Sequence, residues 1–261
     1  PIQSLAYNQD GSQLALGTVV SLVLYAQTSE GWQRREIKVT DPKQYRKTWR
    51  VIEAVLFVEQ HDPPLVLSAG HDGKIRGWNL KTARQEFELI GHQSMIQSIS
   101  LDSTTNRLAS GSNDRSVIVW DLAKKKRYKV FDEHEKEVLQ VKYHRQGRQL
   151  LSVAHDGQLI VRDFDLFRPT SEHEMNGNVI HAFSANSSQT YMMVVSRQHL
   201  GLWNIDGPVQ PLEPIPDPPK TPTGAVYNCV IAVPGNGGWL VGDRAGYIHH
   251  MVRDEQNKLE R

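Results

Sequence analysis

One local pattern recurs along the chain at a fixed period, and such a repeat limits the possible folds more than any single element does. "LSAGHDGKIRGWNL" ends near Trp78, "LASGSNDRSVIVWDL" near Trp120 and "LSVAHDGQLIVRDF" near Arg162, each landmark 42 residues after the one before. A weaker copy, "MMVVSRQHLGLWNI", puts Trp203 41 residues further on. Two more units fit by pattern, with Tyr25 and Met251 in the landmark position. A unit of that size is one supersecondary motif, stable only when stacked on its neighbours.

Within a unit the segments are short and rich in β-branched and aromatic residues. "IQSISL", "RLASG", "SVIVWD" and "RYKVF" read as four strands, parted by the polar turns "DSTTN", "SND" and "LAKKK". Four short antiparallel strands per unit, with no helical period, predict a propeller blade. The full motif stands once, as Gly91-His92, Ser110, Asp114 and Trp120-Asp121. In this it resembles the WD40-repeat family. The expected fold is an all-β WD40 β-propeller with six recognisable four-stranded blades covering 1–261 as one domain.

That resemblance implies a buried network in which Trp120, Ser110, His92 and Asp114 pass hydrogen bonds along one blade. Elsewhere the motif decays. The Trp78 unit keeps Ser68 and Asp72 but has no histidine near residue 50, and the next keeps His134, Ser152 and Asp156 but has Arg162 for Trp. In the Trp203 unit, Met193 and Arg197 replace the serine and the acid. A Ser-His-Asp catalytic triad is the competing reading, but a nucleophile needs an exposed oxygen, and this serine lies mid-strand in a repeat. Seven blades are usual in the family. The chain opens in an innermost strand with no visible closing strand, so the expectation is a seven-bladed ring cut from a longer polypeptide.

Composition removes several classes. The hydrophobic share is 39% and the charged share 23%, as in folded globular proteins. "VVSLVLYA" at 19–26 is the longest nearly apolar run, far below the roughly 18 residues of a membrane-spanning helix. A net charge of +1 gives no global pull toward nucleic acid or anionic lipid. Cys229 is the sole cysteine, which rules out an internal disulfide and points to a reducing, intracellular setting, cytoplasmic or nuclear.

Candidate binding residues come from two places. The spacing from Tyr25 to Trp78 exceeds the period, and the insert "RREIKVTDPKQYRKTWR" at 34–50 carries seven basic residues interleaved with Tyr45 and Trp49. Arg46 and Arg50 flank these aromatics, a composition suited to an acidic peptide, a phosphate or single-stranded nucleic acid. A solvated loop with Trp49 capping a blade is the plainer alternative. By the family's topology this connection lies on the face most often used for partners. The residues before each turn acid, His71, Asn113, His155, Ser196 or Arg197, and Arg244, should face solvent on that side. No spacing gathers three metal ligands, and His249 and His250 alternate across a strand.

"KKKRYK" at 124–129 reads as a nuclear-localisation or polyanion patch, or as lysines blunting an outer edge. "GPVQPLEPIPDPPKTP" at 207–222 reads as an irregular outer strand with a stiff connector, or as a docking motif for a proline-binding domain. The innermost segments "IQSLAY", "IEAVLF", "IQSISL", "VLQVKY", "VIHAF" and "VYNCVIA" hold only Glu53, Lys142 and His181 as titratable groups apart from Tyr and Cys. That is poor material for a propeller hydrolase. The expected function is therefore a non-catalytic scaffold, adaptor or sensor module that binds a protein or peptide, without cofactor or metal. Nucleic-acid binding through the insert is the alternative.

Overall fold

The computed structural model describes residues 1–38, 51–144, 148–163, 168–174, 180–185, 191–196, 200–204, 213–214, 227–233, 238–244, 246–253 and 259–260. The described strands form six four-stranded antiparallel sheets, each built from four consecutive strands in chain order. These are the blades of an all-β propeller, as the repeat predicts.

The first sheet holds β1 (Ile2–Tyr7), β2 (Gln13–Thr18), β3 (Ser21–Thr28) and β4 (Gly31–Lys38). The second holds β5 (Ile52–Val58), β6 (Leu65–Gly70), β7 (Lys74–Asn79) and β8 (Gln85–Ile90), and the third β9 (Ile96–Asp102), β10 (Arg107–Ser112), β11 (Val117–Asp121) and β12 (Lys126–Phe131). The fourth runs β13 (Val138–His144), β14 (Gln149–Ala154), β15 (Gln158–Asp163) and β16 (Arg168–Glu174). The fifth has β17 (Ile180–Ala185), β18 (Tyr191–Ser196), β19 (Leu200–Asn204) and β20 (Glu213–Pro214), and the sixth β21 (Tyr227–Ala232), β22 (Trp239–Asp243), β23 (Ile248–Arg253) and β24 (Leu259–Glu260). Residues 1–152 and 153–261 are two compact units.

In the first unit the second sheet is apolar on both faces, because side chains alternate across a strand and each of its faces meets a different neighbour. Val55, Phe57, Val66 and Trp78 of the second sheet pack on Ala15, Leu22 and Leu24 of the first. On its other face Leu67, Ala69 and Ile75 pack on Leu108, Ile118 and Trp120 of the third. In the second unit the fifth and sixth sheets repeat this, with Met193 and Val195 against Trp239, Val241 and Met251.

The innermost strand of a blade has a free backbone edge, and serines tie it down. Ser4 donates to the Ile52 carbonyl, and Ser98 bonds both the carbonyl and the amide of Val141. Ser100 accepts from the Tyr143 amide, and in the second unit Ser184 accepts from the Ala232 amide. Edge groups that would template aggregation are thus satisfied between blades.

Cross-strand register confirms the landmarks and corrects two details. Tyr25 pairs with Leu14, Trp78 with Val66, Trp120 with Leu108, Trp203 with Met192 and Met251 with Trp239, one equivalent site per blade. In the fifth sheet, however, that register puts Val194, not Met193, at the serine position, because its hairpin is one residue shorter than the third sheet's. The second correction concerns the insert. Arg34, Arg35 and Lys38 belong to β4, paired with Tyr25, Leu24 and Ser21, so they are strand residues rather than loop. Of the proline-rich segment only Glu213 and Pro214 are described, as a short outermost strand on β19.

Candidate functional site

The third blade shows the network that the sequence predicts. Trp120 Nε1 donates to Ser110 Oγ at 2.8 Å, and Ser110 Oγ lies 2.8 Å from His92 Nε2. His92 Nδ1 lies 2.8 Å from Asp114 Oδ2, which also accepts from the Gln93 amide. With Nδ1–H on the carboxylate, Nε2 accepts the serine proton and every polar atom of the chain is used. Burial alone would raise the Asp114 carboxyl, but hydrogen bonds from His92, Ser116 and the Gln93 amide outweigh it and hold the group well below its usual range. Ser110 is fully buried, which no attacking nucleophile can be. The constellation is a clamp on the β10–β11 turn.

Other blades clamp the same turn with different residues. Trp78 Nε1 donates to Ser68 Oγ at 2.8 Å, and His134 Nε2 lies 2.8 Å from Ser152 Oγ. The second blade lacks the histidine, and buried Arg76 takes its place with Nη2 2.7 Å from Asp72 and 3.0 Å from Glu88. Arg76 pairs with Ser68 as Ile118 pairs with Ser110. In the sixth blade the same position holds buried His249, opposite Val241 and 3.0 Å from Asp243. His250, the next residue, is exposed. Sequence reasoning missed this second kind of clamp. Its signal was a basic residue where the third and fourth blades carry isoleucine.

His71, His155 and Arg244 are exposed and Asn113 is half-buried. Tyr45, Arg46, Trp49, Arg50 and Arg197 lie outside the described residues, and Ser196 is described only as the end of β18. In the first unit the turn residues do not stand alone. His71 Nε2 lies 3.0 Å from Glu53 Oε1, and Gln97 Nε2 donates to Asn113 Oδ1 at 2.9 Å.

Both partners sit at a β-bulge. The register of β5 on β6 shifts between Ile52 and Ala54, leaving Glu53 unpaired in the ladder, and that of β9 on β10 shifts around Gln97. A bulge inserts one residue and re-aims its side chain, here toward the hairpin turn of the same blade. β1, β17 and β21 shift at Gln3, His181 and Asn228. A polar residue larger than serine, second in the innermost strand, was the signal in sequence.

The remaining candidates have structural explanations. Lys124 to Lys129 form the turn and exposed outermost strand of the third blade, with Arg107 stacked 4.5 Å over the Tyr128 ring. Arg34 Nη2 pairs with Glu36 at 2.8 Å, and Arg35 Nη1 donates to the Leu80 and Lys81 carbonyls. Of the innermost titratable groups, Glu53 is engaged by His71 and burial lowers the Lys142 ammonium. Among the described residues no three His, Cys, Asp or Glu side chains are grouped to hold a metal ion, and no helix is long and apolar enough to cross a membrane.

Repeated four-stranded blades, the second, third, fourth and sixth of them holding buried polar bonds at equivalent positions, define a β-propeller of the Trp-Asp type. The model of the WD domain, G-beta repeat, matches residues 83–121 and 125–163. The chain belongs to the WD40-repeat family. Each matched repeat begins ahead of an innermost strand, so it contributes its first strand to the preceding blade.

The chain is 26% identical over 142 residues to a WD repeat-containing protein 91 homolog of Dictyostelium discoideum, covering 52% of this chain and 18% of that protein. It is 24% identical over 192 residues to the Polycomb protein EED of Chaetomium thermophilum, covering 62% and 32%. To the small ribosomal subunit protein RACK1 of Drosophila melanogaster it is 33% identical over 87 residues, covering 33% and 27%. The chain thus spans a third or less of these curated relatives.

Proposed function

We propose that the chain is a non-catalytic protein-recognition module, a scaffold or adaptor of an intracellular signalling protein, that binds a protein or peptide across the bulge-and-turn rim of its blades. The observation that carries this reading is the pairing of Glu53 with His71 and of Gln97 with Asn113. Polar side chains that already hold one another on a rigid sheet lose little freedom on binding, which lowers the cost of association. The partner's anchors would meet these pairs, together with the insert residues Tyr45, Arg46, Trp49 and Arg50; in the second unit the exposed His155 and Arg244, with Arg197, are candidates in their own right. Membership of a ribosomal subunit, in the name of one relative, fits a module that works by assembly.

Affinity capture from native lysate tests this. Wild type is compared with Glu53→Ala/His71→Ala and Trp49→Ala/Arg50→Ala at low and moderate salt, with mass spectrometry of what is retained. A protein kept by wild type at moderate salt and lost from both variants is the expected result. Retention of the same proteins by all three chains rejects the rim. Nucleic acid retained only at low salt would instead mark the insert as a polyanion site, since such binding falls steeply with ionic strength. That alternative is weakened by Arg34 and Arg35, whose guanidinium groups are already engaged within the protein.

A further inference from the structure

Leu22 and Leu24 of the first sheet pack on Val55, Phe57 and Trp78 of the second, but toward the β3–β4 turn a cleft of about 390 Å³ opens at this seam. Leu24, Phe57 and Leu80 form its apolar walls, and Gln13, Gln33 and Arg35 are polar groups that border it. Ligand sites have this size, about 300–1,000 Å³, and this mixture of apolar wall with a few polar groups.

One exchange within the repeat accounts for the cleft. At the next seam, between the second and third sheets, Phe87 of β8 lies on Gly77 so closely that a Cβ there would come within 2.5 Å of the ring. Phe87 is buried in one apolar cluster with Leu101 and Leu122, the equivalents of Phe57 and Leu80. In the first sheet the place of Phe87 is taken by Arg35, paired with Leu24 as Phe87 is with Gly77. A guanidinium cannot plug an apolar seam. It reaches the second sheet instead, where Nη1 donates to the Lys81 carbonyl at 2.8 Å and also to that of Leu80.

Those two bonds fix the guanidinium by one nitrogen and leave its other edge bare. Nε and Nη2 of Arg35 make no bond among the described residues, and together they present two parallel N–H donors, the edge that grips a carboxylate bidentately. Arg34, which also borders the cleft, is matched by Glu36, so among the lining residues the uncompensated charge is that of Arg35. The side-chain amides of Gln13 and Gln33 are likewise unbonded among the described residues. Both residues pair with Ala26, which sets them in one row across the sheet.

We propose that this cleft is a second recognition site, which takes an extended peptide segment carrying a bulky apolar side chain and a carboxylate two residues apart. Alternate side chains of an extended segment point the same way. The apolar one enters between Leu24, Phe57 and Leu80, the carboxylate meets Arg35, and the Gln13 and Gln33 amides bond the segment's backbone. Within the second sheet, Phe57 and Leu80 lie at the opposite end from Glu53 and the His71 turn, so the site is separate from the rim and does not depend on it.

Capped, glycine-flanked pentapeptides with Phe and Glu two positions apart, in either order, are titrated into the chain while amide resonances are followed by NMR. For at least one order, shifts are expected at the side-chain amides of Gln13 and Gln33 and at the backbone of Leu80. Replacing Glu by Gln in the peptide should weaken binding about tenfold, as should Arg35→Gln; the first comparison leaves the protein unaltered. Arg35→Phe, which supplies the plug of the next seam, should abolish binding in a chain whose melting temperature shows it folded. Absence of binding, affinity indifferent to the carboxylate, binding that survives Arg35→Phe, or shifts confined to the His71 and Asn113 turns would each overturn the proposal.

Discussion

Ser110 is the residue on which the third blade's network turns, since one hydroxyl oxygen serves both Trp120 and His92. Ser110→Ala strands two buried ring nitrogens, so it should lower stability by about 2 kcal/mol, read from urea unfolding. A neutral effect would mean that water replaces the hydroxyl. Asp114 makes the same network dependent on pH. Its folded carboxyl titrates below the unfolded one, so its contribution is present above the unfolded value, about pH 4, and is lost as pH falls through the folded value. The stability gap between wild type and Asp114→Asn should therefore close on acidification below pH 4; a gap that stays constant would refute the linkage. Arg115, two residues before β11, has a φ of 73°. Glycines take the corresponding turn position in the second and fourth blades, with φ of 69° at Gly73 and 79° at Gly157. Relief of that strain, less glycine's greater unfolded freedom, makes Arg115→Gly stabilising by about 0.5 kcal/mol in thermal unfolding.

At the scale of an element, the β-hairpin joining the second and third strands of a blade is closed in more than one way. The third blade uses His92 on Asp114, and the second uses Arg76 on Asp72 and Glu88. Arg76→Ile restores the apolar residue found at Ile118 but leaves Asp72 and Glu88 without their shared cation. It should cost about 2–3 kcal/mol, below the loss for a fully buried pair because both carboxylates can reach water. Adding Asp72→Asn to Arg76→Ile should recover part of this; strictly additive losses would show that the pair is not coupled. The innermost strands carry a second device, the bulge that leaves Glu53 and Gln97 out of the ladder and beside His71 and Asn113. The element thus keeps its apolar faces packed and still delivers a polar group to the rim.

For the whole molecule, charge and surface give different information. A net charge of +1 predicts weak retention on heparin or DNA at physiological salt, and strong retention there would restore the polyanion reading. Among the described residues, the first and sixth sheets carry most of the exposed large apolar side chains, with Leu5, Tyr7, Ile231 and Ile248 all well exposed. Stacked repeats gain stability from neighbour interfaces, so a blade with one bare face should open first. Hydrogen exchange should be faster in β1–β3 than in β9–β11, and equal protection would argue against that gradient.

The 42-residue period, the alternation within each short segment and the Trp120 constellation were enough to fix strand count, blade boundaries and the buried network, because these are local regularities repeated until chance is excluded. The sequence also led to the expectation that His71, Asn113, His155 and Arg244 face solvent; three are exposed, and Asn113 is half-buried. Which residues complete the network where the motif decays was not legible. Arg76 and Asp72 are neighbours in sequence, but only the cross-strand register shows that Arg76 enters the core and binds Asp72 and Glu88. The bulges were hidden for the same reason: one extra residue leaves the apolar pattern almost unchanged while turning Glu53 and Gln97 to the rim. Open faces were beyond sequence altogether, since Leu5 and Val55 read alike until their neighbours are known. Burial belongs to the packing of one sheet on the next, and that the tertiary structure alone decides.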